Sequence, residues 1–149
     1  MEPTAIRALV EAFTVKSSFG NEPGYKEIKA LGEEVIPYFL EQYPKSSRWE
    51  QRVAYVYHSI RPAAKGNKTA FQLGLLALKD KSKHVRYRAC MLLACAQDVE
   101  ALPYLEALRD HPVSETKENV EAAIDALKSK NHHYFIDRSH SNKMFLNVE

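Results

Sequence analysis

Apolar residues recur at helical spacing along most of the chain. Between residues 4 and 17, Ile6, Leu9, Val10 and Phe13 follow the i, i+3, i+4, i+7 pattern that places side chains on one helix face. The same pattern predicts six further helices, over residues 25–43, 48–60, 68–79, 83–97, 99–109 and 114–130. Short connections between such helices are typical of antiparallel neighbours, so the sequence predicts an all-α fold.

A weak repeat runs through these helices. Ala54, Ala89 and Ala123 occupy the same place in three of them, at intervals of 35 and 34 residues. A small residue at this place lets a neighbouring helix approach closely. A period in the low thirties is one helix hairpin, which is too short to bury its own apolar face. The repeat therefore predicts hairpins that stack within one domain, residues 1–149.

The segment LALKDKSKHVRYRA at residues 76–89 resembles the turn between HEAT repeats, with Asp80 closing one repeat and Val85-Arg86 opening the next. The segments VEALPYL at 99–105 and LGEEVIPY at 31–38 resemble the start of a HEAT second helix. This resemblance to HEAT and PBS-lyase-type repeats implies an α-α superhelix, or solenoid, of about three to four hairpins.

The resemblance covers residues 25–130 and departs from the family pattern at two places. Tyr57-His58 is bulkier than usual, and the helix containing Gly74 lacks the usual proline. In HEAT arrays, residues such as Asp80 and Arg86 form a ladder of ion pairs and hydrogen bonds along the inner turns. The resemblance therefore implies a structural role for both.

Second helices line the concave surface of HEAT proteins, so the resemblance also implies a column of rings formed by Tyr38, Phe71 and Tyr104. Tyrosine is enriched at interface hot spots, although the alternative is that some of these rings pack between repeats. Charged residues of both signs surround the column: Lys29, Glu33, Glu34, Glu41, Lys68, Glu100 and Arg109. Mixed charge favours a protein partner over a polyanion.

Two short apolar runs in the C-terminal tail, residues 134–136 and 144–148, flank a polar segment. This pattern predicts a β-hairpin within residues 131–149. An isolated hairpin is marginal in water, so we expect it to lie on the last helix pair. It would then cap the end of the stack, which repeat arrays require.

The tail also carries metal-competent side chains, namely His132, His133, Asp137 and His140. They lack the helical His-x-x-x-His spacing and a cysteine ligand, so no metal site is predicted. The run FIDRSHSN at residues 135–142 resembles the ending of small bacterial HEAT-like proteins, some of them immunity proteins encoded beside polymorphic toxins. The resemblance implies that Asp137, Arg138 and His140 fix the turn.

Composition narrows the function classes only slightly. The 21 Lys and Arg residues against 19 Asp and Glu give a net charge of +2, without the basic excess of a phosphate-backbone binder. Cys90 and Cys95 point roughly 140° apart around one predicted helix, so they read as buried thiols in a reducing compartment. No signal sequence or membrane segment is expected at the N-terminus, and the predicted location is the cytoplasm.

The sequence contains no paired-carboxylate spacing, phosphate loop or nucleophile motif, so it predicts a protein without enzymatic activity and without a cofactor. The favoured function is a protein-binding module, which the family resemblance narrows to an immunity protein that blocks a toxin through its concave surface. One alternative is a nucleic-acid-binding or DNA-repair-like HEAT module. Another is an adaptor or chaperone-like scaffold.

Overall fold

The computed structural model describes residues 1–15 and 18–148, and this part of the chain is all-α, with no strand. The α-helices are α1 (Pro3–Ala12), α2 (Tyr25–Leu31), α3 (Ile36–Gln42), α4 (Trp49–Tyr57), α5 (Ile60–Ala64), α6 (Lys68–Ala77), α7 (Lys83–Ala96), α8 (Leu102–Glu106) and α9 (Ser114–Lys128). Short 3-10 helices cover Gly32–Val35, Tyr43–Lys45, Val99–Ala101 and His132–Phe135. None of the described helices combines the length and apolarity needed to cross a bilayer.

Helix α7 is the centre of the packing. It lies between α4 and α9, and it also packs against α5 and α6. On the other side of the core, α3 packs between α1 and α6, while α8 packs against α9. The apolar faces predicted from the sequence meet between these two sets of helices. The most deeply buried large side chains are Tyr55, Phe13, Phe39, Phe135, Ile36, Leu73, Leu92, Leu93 and Leu105.

Small residues set the spacing between the helices. Ala54, Ala89 and Ala123 are all fully buried, as their recurrence predicts. Gly74 in α6 lies so close to α7 that a Cβ atom there would stand 2.5 Å from Leu92 Cδ2. A larger residue at position 74 would force the Leu92 side chain to move, so the glycine lets α6 pack closely on α7.

Several predicted helices have different boundaries from those expected. The first ends at Ala12 and not near residue 17, and the segment 99–109 divides into the 3-10 helix Val99–Ala101 and α8. The segment 25–43 is interrupted at Gly32, whose φ of 60° belongs to the left-handed region that glycine tolerates. A second helix, α5, follows α4 and contains Pro62, although proline was expected to end the segment near residue 60. Pro62 is the third residue of α5, where an amide has no intrahelical acceptor, so its missing N–H costs nothing.

A buried ion pair connects α4 to the turn between α6 and α7. Arg52 donates from Nε to Asp80 Oδ2 (2.8 Å) and from Nη2 to Asp80 Oδ1 (3.1 Å), and both side chains are 5% exposed. Tyr43 donates to the same carboxylate, as does the Ser82 amide (2.9 Å). Burial alone would raise the pKa of Asp80, but the hydrogen bonds from Arg52, Tyr43 and Ser82 hold that pKa below its usual value.

Arg86 repeats this arrangement one hairpin later. Arg52 Nη1 donates to the Ser46 carbonyl (3.0 Å), and Arg86 Nη1 donates to the Asp80 carbonyl (2.8 Å), six residues back in each case. Arg86 Nε donates to Thr116 Oγ1 (2.9 Å) at the start of α9. Arg52, Asp80, Arg86 and Thr116 thus form a series of contacts that we call the polar ladder, in which the carboxylate of Asp80 binds Arg52 and not Arg86.

The predicted C-terminal β-hairpin is wrong. Residues 132–135 form a 3-10 helix, which the Asn131 side chain caps by accepting a hydrogen bond from the His133 amide (3.0 Å). The buried Asp137 carboxylate accepts from the Ser141 amide (3.0 Å) and the Asn142 amide (2.7 Å). These side chains satisfy the backbone donors that a strand ladder would need, so the segment folds as a turn.

The tail packs on the last helices, where a cap was expected. Arg138 donates to Asn119 Oδ1 of α9 (3.0 Å) and to the Phe135 carbonyl (3.0 Å). His140 Nε2 lies 2.6 Å from Asp125 Oδ2 of α9, and the Phe135 ring is fully buried. The contacts of Asp137, Arg138 and His140 are therefore contacts within the turn and with α9.

We expect Arg52→Ala to destabilise the protein by about 3–5 kcal/mol, because it leaves the Asp80 carboxylate buried without its ion-pair partner. Urea unfolding followed by circular dichroism measures the effect. The matched control is Arg7→Ala, which breaks the exposed Arg7–Glu41 pair (2.8 Å) and is expected to change stability little. Equal stability of the Arg52→Ala variant and the wild type would show that the ladder does not hold the helices together.

Candidate functional site

A cleft lies where the loop before α2 meets the end of α4, the start of α5 and the middle of α7. The cleft has a volume of about 320 Å³, within the range of small-ligand pockets. Residues 146–148 of the tail form one wall. Its lining residues are Phe19, Gly20, Tyr25, Tyr57, His58, Ile60, Arg61, Arg88, Met91, Leu146, Asn147 and Val148. We call this the His58 cleft.

A carboxylate–imidazole pair forms the floor of the His58 cleft. Glu22 is 3% exposed, and its carboxylate is hydrogen-bonded to His58 Nε2 and to the Gly20 amide. Burial lowers the pKa of His58. The hydrogen bond from His58 to the Glu22 carboxylate opposes that shift, and the charge of Arg61 adds to it. The imidazole is therefore neutral at pH 7, and the pair anchors the loop to the end of α4.

Aromatic rings and a guanidinium form the wall beside this pair. Phe19 stacks on Tyr57 with ring centroids 3.6 Å apart. The Arg88 guanidinium lies 4.9 Å from the Phe19 ring and 5.0 Å from the rings of Tyr57 and Tyr87. Burial lowers the pKa of Arg88, but the side chain stays protonated at neutral pH because an arginine titrates so far above it. The wall is apolar with one fixed positive charge.

A second cavity, of about 300 Å³, adjoins the first and shares Tyr25, His58 and Arg61 with it. Lys29, Gly32, Glu33 and Lys65 line its mouth, and Ile28, Val35, Ile36, Phe39 and Pro62 also contribute to the lining. Three cations against one exposed carboxylate make this side of the molecule locally positive, which the near-neutral total charge does not indicate.

The predicted column of rings lies on other helices and is only partly exposed. Tyr104 in α8 is 48% exposed, whereas Tyr38 in α3 is partly buried and has the Arg7 guanidinium 5.4 Å from its ring. Phe71 in α6 is 6% exposed, so the expectation of an exposed ring at this position is wrong. The Phe71 ring fills the contact between helices, which is the alternative considered for this column.

The predicted charged residues connect neighbouring elements of this face. Asn67 donates to Glu33 Oε1 (2.9 Å), Lys68 lies 3.1 Å from Asp98, and Arg109 donates to Glu106 (3.2 Å). Glu41 pairs with Arg7. Lys29, Glu34 and Glu100 are exposed. Apart from Phe71, the predicted partner-binding residues therefore present polar groups or partly exposed rings at the surface.

The two cysteine thiols and the Ser59 hydroxyl are all buried. Burial raises the pKa of the Cys90 and Cys95 thiols to about 12, so neither is a thiolate at neutral pH. The Ser59 hydroxyl beside His58 is buried and donates to the Tyr55 carbonyl (2.7 Å). Within residues 1–15 and 18–148, no three metal-ligating side chains converge. Neither cysteine thiol nor the Ser59 hydroxyl is thus an activated nucleophile.

Sequence reasoning did not identify Phe19, Glu22 and Arg88 as site residues. They come from a loop and from the middle of α7, and only the fold brings them to His58. One signal was present: Tyr57-His58 is the place where the helix departs from the repeat pattern towards bulkier residues. Local departures from a structural pattern often mark functional sites.

No protein-family model matches this chain, and neither does any curated protein or any solved structure. The resemblance to HEAT-like and immunity proteins therefore stays a prediction. The function has to be argued from the geometry of the two surfaces described above.

We expect the free energy of unfolding to fall as the pH drops below about 6.5, the usual histidine value, because His58 binds a proton less readily when folded than when unfolded. The loss amounts to about 1.4 kcal/mol for each unit by which folding lowers the pKa. Urea unfolding at several pH values measures it, and His58→Gln should reduce the slope.

The matched control is His84→Gln, since His84 is exposed and stacks on Trp49. Burial also lowers the pKa of His132, so part of the slope will remain in the His58→Gln variant. An identical pH dependence of the wild type and His58→Gln would contradict the assignment of a neutral, buried imidazole.

Proposed function

We propose that this protein is a HEAT-like stack of helix hairpins that binds another protein and catalyses no reaction. The binding face consists of the outer surfaces of α3, α6 and α8. The observation that carries the proposal is the 48% exposure of Tyr104 on an ordered helix, next to Val99, which is 61% exposed. Large apolar groups exposed in this way are typical of interaction surfaces when charged residues surround them.

Support for the stacked-hairpin architecture comes from the polar ladder. Arg52 and Arg86 are 34 residues apart and make the same backbone contact six residues back. Each also reaches forward into the next hairpin, to Asp80 and to Thr116. A contact that recurs with the period of the hairpins is what a repeat array requires.

The charges of the proposed face favour a protein partner. Glu33, Glu41 and Glu100 alternate with Lys68 and Arg109, so the face has no continuous positive stripe for a phosphate backbone. Mixed charges around apolar anchors are the usual arrangement at protein–protein interfaces, where the charged rim sets orientation. The nucleic-acid-binding function is a weaker alternative on this ground, whereas an adaptor or scaffold would also bind a protein.

A toxin is the narrower proposal for the partner. It rests on the resemblance of residues 135–142 to the ending of small bacterial immunity proteins. The contacts of Asp137, Arg138 and His140 fit a structural role for that motif, because they fix the turn and attach it to α9. The mechanism would be steric: a preformed face covers the active site of the toxin.

We expect Tyr104→Ala to weaken partner binding by about tenfold or more, because truncating an exposed interface tyrosine removes an apolar anchor. The matched control is Trp49→Ala, which truncates an aromatic residue of similar exposure, 43%, at the start of α4. Affinity capture from a lysate of the source organism in moderate salt identifies the partner, and calorimetry with the purified partner measures both variants. Charge reversal at Glu33 or Glu34 tests whether the charged residues around Tyr104 and Tyr38 contribute to partner affinity.

Three results would contradict the proposal. One is recovery of nucleic acid that is lost between low and moderate salt, which is the behaviour of phosphate contacts. Another is equal weakening by Trp49→Ala and Tyr104→Ala, which would place the interface elsewhere. The third is unchanged binding after Tyr38→Ala, Tyr104→Ala and both glutamate reversals.

A further inference from the structure

We propose that the His58 cleft is a binding site for a small organic anion, with a carboxylate or phosphate group at Arg61 and Arg88 and an apolar body against Phe19 and Tyr57. The site is separate from the face that carries Tyr104, and its ligand is not a protein partner. Its three components are a guanidinium without an ion-pair partner among the described residues, a local excess of positive charge, and an apolar wall around a small volume.

The first component is the state of Arg88. Three aromatic rings surround its guanidinium at 4.9–5.0 Å, and Nη1 donates to Met91 Sδ (3.6 Å), which is a weak and neutral acceptor. Among the residues that the structure describes, no carboxylate lies within ion-pair distance of Arg88. A partly buried charge is costly unless it is paired, and an anion in the cleft would supply the pair.

The second component is the local balance of charge. Arg61 lines the same cleft and is exposed, so an anion reaching Arg88 would meet two guanidinium groups. Glu22 is bonded to His58 at this floor, and its side chain is 0% exposed. His58 and the Gly20 amide occupy its oxygens. Among the described residues at the cleft, two guanidinium charges therefore stand against one buried carboxylate, so the local charge is positive.

The third component is the apolar wall. The stacked Phe19 and Tyr57 rings, with Met91 and Ile60, give a surface that suits an aromatic or branched aliphatic group. Leu146 and Val148 of the tail close the opposite side, and both are only partly exposed. The volume of about 320 Å³ holds one such group with its charged end, but no folded domain.

The test is a titration of the ¹⁵N-labelled full chain followed by NMR, reading the Nε–Hε resonance of Arg88. The probes are phenylacetate, phenyl phosphate and the neutral phenylacetamide, which has the shape of phenylacetate without its charge. We expect saturable shifts with the two anions and binding about tenfold weaker for the amide, since it loses charge-assisted hydrogen bonds. The tighter anion identifies the group that the site prefers, and either preference supports the proposal.

Variants tie the binding to this cleft. Arg61→Ala and Arg88→Met should each weaken anion binding by about tenfold, because each removes one cationic partner. Backbone amide resonances of the cleft residues report binding to Arg88→Met, which lacks the Arg88 resonance. Arg88 packs between rings, so circular dichroism checks its folding, while the exposed Arg61 tests the site without that risk. The matched control is Arg48→Ala, an exposed arginine at the other end of α4, for which we expect wild-type affinity.

The proposal is overturned if neither anion gives a saturable shift at about 10 mM, which corresponds to negligible affinity. It is also overturned if phenylacetamide binds as tightly as phenylacetate, or if Arg61→Ala and Arg48→Ala bind the anions equally well. Because no protein partner takes part, these results leave the proposed function of the Tyr104 face unaffected, and failure of that function leaves the cleft unaffected.

Discussion

The burial of Arg52 between helices is the constraint on which the rest of the structure depends. A guanidinium that is 5% exposed requires partners, and it finds them in the Asp80 carboxylate and the Ser46 carbonyl, while Tyr43 donates to the same carboxylate. These groups come from two turns that are far apart in sequence, so forming the pair fixes how α4 lies against the turn between α6 and α7. A buried pair of this kind contributes specificity of packing more than net stability.

This constraint also explains where the surfaces lie. With α4 held by Arg52 against the turn before α7, the end of α4 brings Tyr57 and His58 against the middle of α7, where Arg88 projects. The loop before α2 closes over them through Glu22. On the other set of helices, α8 packs mainly on α9, which leaves Tyr104 exposed. One arrangement of hairpins therefore presents an enclosed cleft and an open face made of different residues.

The sequence predicts the helices well because their apolar periodicity is strong, and it places Ala54 and Ala89 in the core because only small residues fit there. It does not predict that Asp80 binds Arg52, since that choice depends on the angle between hairpins. The predicted β-hairpin of the tail does not form, because the side chains of Asn131 and Asp137 accept hydrogen bonds from backbone amides that would otherwise pair in a strand. The sequence does not predict the His58 cleft, because the residues that line it are far apart in sequence. The only indication is the pair of bulky side chains at Tyr57-His58, where the repeat pattern has smaller ones.

Native-state hydrogen exchange tests most directly whether the ladder joins the hairpins into one unit. Residues that unfold together exchange with one common free energy, whereas loosely coupled repeats open separately. We expect the most protected amides of α4, α7 and α9 to share a single opening free energy. The reason is that Arg52 joins α4 to the turn before α7, and Arg86 joins α7 to α9. An opening free energy for α9 that lies several kcal/mol below that of α4 would contradict the account.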